Sequence, residues 1–231
     1  MDTREEISKM TGLSHGTISK VKEIQKKATT EVKEQLRRGE TTVNRAFRDI
    51  KKVESLKVFK KAPAIPKYLF NVILADPPWR YYFSNSSNRE IENQYPTMEL
   101  EEIAALTIPA ADDCVLFLWA TSPKLPEALR VMGAWNFTYK TCMVWVKDKI
   151  GMGYYARQRH EILLIGTRGT PGVPEPANRP NSVIEADRGK HSEKPIRFYE
   201  VIESMFPDRK YLEMFSRKNR PGWTSWGNEV E

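Results

Sequence analysis

The chain has 231 residues, 40% hydrophobic and 29% charged, with formal net charge +7 and mean hydropathy −0.58, which predicts one ordinary domain plus an appendage and excludes disordered and fibrous classes. No stretch nears the roughly 18 consecutive apolar residues of a membrane span, and the mixed-charge opening MDTREEISKM is unlike a secretory signal, so a cytoplasmic protein is expected. Cys114 and Cys142, the two cysteines, lie in apolar strand-like runs and read as reduced, buried thiols, with no disulfide framework or cysteine-based zinc site.

The charge is unevenly placed. Residues 1–61 hold 16 Lys and Arg against 9 Asp and Glu, whereas residues 62–231 hold 21 of each. The run KKAPAIPK, residues 60–67, interrupts helix with two prolines and sets the boundary between a basic helical segment, 1–61, and a neutral body, 62–231. In the basic segment Ile7, Met10, Leu13, Ile18, Val21 and Ile24 recur at helical spacing. Gly12 supplies a tight turn and Ser14 a helix cap, so the segment predicts helix, turn, helix. His15, Thr17, Ser19, Lys20 and Lys22 are candidates to face a DNA major groove, with lysines including Lys26 on phosphates. REEISKMTGLSHGTISKVKEI resembles the helix-turn-helix of ParB-like partition and plasmid proteins. The other reading is a solvated basic hairpin that packs on the body or on a second chain.

In the body, FNVILA (70–75), CVLFLWA (114–120), TCMVWV (141–146), EILLIG (161–166) and KYLEMF (210–215) are short, unbroken apolar runs of the kind buried on both faces of a sheet. MELEEIAAL, SPKLPEALRVMGA and PIRFYEVIESMF supply helices between them. The pattern predicts an α/β fold with a parallel sheet sandwiched by helices and a ligand site beyond the carboxyl ends of its strands. The Gly- and Pro-rich span 166–192 reads as an exposed loop, and Trp119, Trp135 and Trp145 as core.

At the end of the first strand stands Ala75-Asp76-Pro77-Pro78-Trp79. Asp76 is a carboxylate acceptor, and the stiff prolyl turn turns carbonyl oxygens outward. Two such acceptors grip an exocyclic amine. Adenine's amino lone pair is delocalised into its ring, and drawing on both N–H groups pushes that nitrogen towards a reactive pyramidal form. Trp79 offers a flat surface on which the base would stack.

These residues resemble the mRNA-adenosine methyltransferase (MT-A) family, including its bacterial and phage DNA-directed members. The resemblance runs from about residue 68 to 230 and includes NQYPTMELEEI, LFLWATSP, VWVKDKIGMGYYARQRHEILLIGTRG, HSEKP and LEMFSRKNRPGWTSWGNE. It implies a Rossmann-like methyltransferase fold with circularly permuted motif order, S-adenosyl-L-methionine as methyl donor, and a prokaryotic or phage source. Carried over residue by residue, it makes Asp76, Pro77, Pro78 and Trp79 the catalytic tetrapeptide. Lys194 falls near both cofactor and acceptor base. Asp76, Phe215, Arg217, Asn219, Asn228 and Glu229 fall where the family binds cofactor, and Lys147, Glu161 and Ser192 near the acceptor pocket. Lys218 lies where the mRNA enzyme carries a neutral or imidazole residue.

Tyr82 and Tyr95 flank a polar stretch, 84–94, and read either as base-contacting residues of a loop or as packing aromatics. Glu161 reads either as part of the pocket or as an ion-pair partner of a nearby Arg. His160 and His191 are too isolated for a metal site, and methyl transfer to an amine requires none. The expected activity is methylation of adenine in DNA. RNA methylation, or a non-catalytic DNA-binding scaffold, is the alternative, and a homodimer or a paired methyltransferase-like subunit is the expected assembly.

Overall fold

The computed structural model describes residues 3–59, 63–81, 97–153, 155–189, 193–228 and 230. Tyr82, Tyr95, Ser192 and Glu229, named above, lie outside the described residues. The chain divides into two units, residues 1–61 with 80–98 and residues 62–79 with 99–231.

In the first unit, α1 (Thr3–Thr11) and α2 (His15–Lys27) are joined by a turn in which Gly12 takes φ +68° and accepts no strain for it. Ser14 Oγ caps α2 by accepting the Thr17 N–H at 3.2 Å. Thr29 caps α3 (Thr30–Arg37) in the same way, and α4 is Val43–Phe59. Ile24, Ala46 and Phe47 form the small core, with Val32, Leu36 and Ile50 packed on it. In the apolar stripe Ile18 and Ile24 are buried and Val21 half-buried, whereas Met10 and Leu13 are exposed.

The second unit is a seven-stranded sheet in the order β5-β3-β4-β2-β1-β6-β7. Its strands are β1 (Phe70–Ala75), β2 (Ala110–Ala120), β3 (Thr138–Val146), β4 (His160–Arg168), β5 (Val183–Glu185), β6 (Tyr211–Met214) and β7 (Trp223–Trp226). Its helices are α5 (Leu100–Ala104), α6 (Leu125–Ala134) and α7 (Ile196–Met205). The arrangement is α/β and Rossmann-like, with each expected apolar run on a strand.

Two expectations are corrected. The sheet is mixed, because β4 runs antiparallel to both β2 and β3. No helix separates β3 from β4, and without a crossover the chain returns as a hairpin. The span 166–192 is also not all loop: Val183–Glu185 pairs parallel with β3, and the Trp145 indole donates to the Ala186 carbonyl at 2.7 Å.

Alternate residues of the central strands set the two faces. Val72, Leu74, Val115, Phe117, Trp119, Met143, Trp145 and Leu163 form one core with Phe198, Val201 and Ile202 of α7. α6 lies against β2 and β3. A Cβ on Gly166 would meet Met132 Sδ at 2.7 Å, so a side chain there would have to displace the end of that methionine where α6 passes β4. Trp119, Trp135 and Trp145 are buried, as expected; both cysteines are free thiols, Cys114 buried as expected and Cys142 only half-buried. Among the described residues no helix is long and apolar enough to cross a membrane.

Candidate active site

Topology gathers the chemistry at one edge of the sheet. β1, β2, β3 and β6 present their carboxyl ends there, and antiparallel β4 presents its amino end, with Ala120 opposite Ile162 and Val146 opposite His160. Asp76 follows β1, Lys147 follows β3, Glu161 opens β4, Phe215 follows β6, and Lys194 lies just before α7.

Four of these side chains form a chain of alternating charge. Lys147 Nζ donates to Glu161 Oε1 at 2.5 Å, Glu161 Oε2 lies 3.4 Å from Lys194 Nζ, and Lys194 Nζ donates to Asp76 Oδ2 at 2.6 Å. Lys194 is 8% exposed, and its ammonium also sits 5.4 Å from the centroid of the Trp119 ring. Burial pushes the Asp76 carboxyl above the usual aspartate range, with Glu161 adding to the shift and Lys194 opposing it. Burial also works against Glu161, but there Lys194 and Lys147 together prevail and hold the carboxyl below its ordinary range. The Glu161 carboxylate thus lies between two cations. Among the described residues its ion-pair partners are these lysines, not an arginine.

The Asp76–Trp79 corner is rigid. Asp76 N–H donates to the Met214 carbonyl, and the Trp79 N–H closes a three-residue turn onto the Pro77 carbonyl at 2.8 Å. That carbonyl keeps a second lone pair. Trp79 is 6% exposed, and its indole N–H donates to the Trp119 carbonyl at 3.0 Å. In place of an open stacking surface, the structure gives Trp79 a bracing role: a buried indole needs an acceptor, and the end of β2 supplies it.

A cavity of about 390 Å³ adjoins the corner. Five of the site residues expected from the resemblance line it, Asp76, Lys194, Phe215, Arg217 and Asn219, together with Lys218. Asn228 does not, although it follows a glycine that matters. A Cβ on Gly227 would stand 2.0 Å from the Ser216 carbonyl oxygen, so the loop after β6 packs directly on that backbone. Phe215 itself turns the loop with φ +63°, its ring 5.5 Å from that of Trp226. Lys218 ion-pairs with Glu193, so the cation at this departure from the mRNA-enzyme pattern has its own counterion.

The cavity also contains residues the sequence reading missed. Glu213 accepts the Tyr199 hydroxyl at 2.7 Å, and the Arg220 guanidinium lies 3.6 Å from the Tyr199 ring centroid. Burial raises both the Glu213 carboxyl and the Tyr199 hydroxyl. The available signal was Glu213 itself, a charge inside the otherwise apolar strand YLEM. Trp119, read as core, lines the cavity as well, and its indole N–H has no acceptor among the described residues. Carboxylates, cations, an amide, an aromatic ring and an unsatisfied donor in one lining fit a ligand with a zwitterionic amino-acid end, hydroxyls and a heteroaromatic ring.

In the helical unit, Lys22, Lys26 and His15 are exposed and Thr17 and Ser19 half-buried, but Lys20 is turned inward. Its ammonium donates to Asn44 Oδ1 at 3.2 Å and lies over the Phe47 ring. The expectation that Lys20 faces a groove is therefore corrected: at its position on α2 the side chain runs between α2 and α4. Among the described residues no cluster of His, Cys, Asp or Glu is arranged to hold a metal.

The MT-A70 family model matches residues 70–229. The chain is 34% identical over 188 residues to the Type II methyltransferase M.MunI of Mycoplasma sp., covering 73% of this chain and 81% of that protein. It is 29% identical over 172 residues to an N(6)-adenosine-methyltransferase MT-A70-like protein of Arabidopsis thaliana and over 174 residues to the human N(6)-adenosine-methyltransferase catalytic subunit METTL3, covering 70% of this chain in each case. It spans about a quarter of those two, 24% and 28% of their lengths.

Proposed function

From a chain that belongs to the MT-A70 family, we propose an enzyme that methylates the exocyclic amino group of adenine in DNA with S-adenosyl-L-methionine as donor. The observation that carries this reading is the position of Asp76, held by Lys194 in the lining of a cavity that Phe215, Arg217 and Asn219 also line. The N(6)-adenosine-methyltransferase relatives support adenine as the acceptor. The bacterial Type II relative, matched over most of its length, and the basic helical unit support DNA.

Bound there, the donor would supply an electrophilic methyl group, its sulfonium leaving as a neutral thioether as the amine nitrogen takes the methyl and then loses a proton to water. Everything else falls to the protein. Arg217, Asn219 and Lys194 suit the donor's carboxylate and hydroxyls, Phe215 its ring, and Glu213 its cationic end. With Oδ2 engaged by Lys194, Asp76 Oδ1 accepts one amine N–H, and the second lone pair of the Pro77 carbonyl accepts the other. The turn that Trp79 braces keeps these two oxygens in place, so alignment of the amine is the main contribution to rate. A base in duplex DNA must leave the stack to reach this corner, at a cost of a few kcal/mol. A separate basic unit that grips the backbone offsets part of that cost, with Lys22 and Lys26 on phosphates.

The test is transfer of tritiated methyl groups to DNA and RNA of matched sequence, followed by nucleoside digestion. Label in N6-methyldeoxyadenosine, abolished by Asp76→Ala while the melting transition persists, is the expected result. Label in RNA alone would replace DNA by RNA as substrate. Binding of DNA with no transfer to either polymer would leave a scaffold. Self-association, or pairing with a second methyltransferase-like subunit, belongs to the same proposal and is read by sedimentation.

A further inference from the structure

The β3–β4 hairpin continues beyond the sheet as a stalk. Lys147 N–H donates to the Arg159 carbonyl at 2.8 Å, Gly151 N–H to Gln158 at 2.6 Å, and Gln158 N–H back to Met152 at 3.3 Å. Side chains stitch the same two strands, Arg159 Nε to the Lys147 carbonyl at 2.9 Å and Arg157 Nε to that of Gly151 at 3.2 Å. Near the tip a Cβ on Gly153 would stand 1.8 Å from the Ala156 carbonyl oxygen, so the chain closes this tightly only with glycine. A connection held by this many bonds is built to present something.

What it presents is apolar. Ile150 is 50% exposed, Met152 72% and Tyr155 fully exposed, three large hydrophobic side chains within six residues. Around them Lys149, Arg157 and Arg159 are exposed cations. The two carboxylates of the stalk are already engaged, Asp148 by Arg188 at 3.1 Å and Glu161 by Lys147 and Lys194. The tip thus combines an apolar point with a net positive shoulder. At its root, the Lys147–Glu161 pair joins the Lys194–Asp76 pair, so the stalk rises directly from the candidate active site.

We infer that this tip is a wedge that enters the base stack of duplex DNA beside the target adenine, Tyr155 and Met152 lying between base pairs and Lys149 and Arg157 on the flanking phosphates. The inference rests on the nucleic-acid reading above and adds to it the device that opens the duplex. Stacked bases offer apolar faces set between two rows of phosphate, the complement of an apolar point with cationic shoulders. Apolar side chains inserted at a base step offset the unstacking that extrusion requires.

The experiment compares the wild type with Tyr155→Ala, Met152→Ala and the double variant on plasmid DNA, native and heat-denatured, by methyl incorporation. In parallel, each protein is bound to relaxed plasmid with a topoisomerase present, and the linking number left after its removal reports unwinding. The expected result is a loss of about tenfold or more on native plasmid, denatured plasmid being methylated as by the wild type, and unwinding by the wild type alone. Equal loss on both DNA forms, no loss on native DNA, or no unwinding by the wild type overturns the wedge. Unwinding that depends on Tyr155 and Met152, with no methylation of either form, keeps the wedge and removes the methyltransferase reading. A fall in sedimentation mass on substitution would make the tip a protein contact and likewise overturn the inference.

Discussion

Lys194 and Asp76 are 118 residues apart in sequence, yet the lysine ammonium donates to Asp76 Oδ2 at 2.6 Å. The contact exists because α7 starts at the strand edge where β1 ends, and it opposes the effect of burial on the residue assigned to the amine. Burial raises the Asp76 carboxyl, and Lys194 is the largest influence in the other direction. A raised acid favours its proton, so its contribution to stability is present below the ordinary aspartate range and lost as pH rises through the folded value. Turnover has the opposite sign, because the carboxylate is the form that accepts two hydrogen bonds. The acidic limb of kcat/KM therefore lies above the ordinary aspartate range. Lys194→Met moves it to higher pH, and a pH–rate profile in which that variant's limb stays in place would remove the coupling.

Trp119 makes a second, separable prediction. Its ring packs edge-on against Phe198 at 4.8 Å and Trp145 at 6.1 Å, contacts a phenylalanine largely retains, while its buried N–H has no acceptor among the described residues. An unsatisfied buried donor costs about 1–3 kcal/mol until something accepts from it. Trp119→Phe is expected to leave the melting temperature unchanged or higher and to weaken S-adenosyl-L-methionine binding, measured by calorimetry. Unchanged affinity would show that the ligand does not use this N–H.

The division between what was legible and what was not has a physical pattern. The apolar runs of β1, β2, β3, β4 and β6, and the helices between them, are local signals and stand where expected. Ser14 and Gly12 likewise mark the turn between α1 and α2 through local chemistry. Strand direction is not local: nothing in EILLIG distinguishes parallel from antiparallel, and only the missing helix before it decides. Glu213 and Tyr199 were missed because each sits in an otherwise apolar pattern and acquires meaning from the other across the fold. Lys20 misled for the same reason, since a lysine on α2 looks exposed until α4 covers it.

The two kinds of lysine on α2 separate binding from folding. Lys22 and Lys26 are exposed, whereas Lys20 is held against Asn44 and Phe47. If the helical unit binds DNA through phosphates, Lys22→Ala with Lys26→Ala reduces the slope of log K against log salt by about 1.8, roughly 0.9 per phosphate contact, and leaves the melt unchanged. Lys20→Ala instead destabilises the unit. Equal salt slopes for wild type and the Lys22/Lys26 variant would assign DNA binding elsewhere.

Gly227 governs the cavity from a distance. Its missing side chain lets the backbone of Ser216 approach, and Ser216 fixes the loop by donating its hydroxyl to the Lys218 carbonyl at 2.7 Å and its N–H to the Trp226 carbonyl at 3.0 Å. A methyl group on Gly227 would stand 2.0 Å from the Ser216 oxygen and 2.8 Å from its nitrogen, which side-chain adjustment cannot relieve. The loop must shift, carrying Phe215 and Arg217 with it. Gly227→Ala is therefore expected to cost about 1–3 kcal/mol of stability and to weaken S-adenosyl-L-methionine binding by about tenfold, equivalent to 1.4 kcal/mol. Gly133→Ala, in α6 with open space around the added carbon, is the matched control and should be neutral or stabilising by up to about 1 kcal/mol. Thermal melts and calorimetric titrations of the two variants decide the matter: equal behaviour would mean that the close approach at Gly227 does not position the cavity wall.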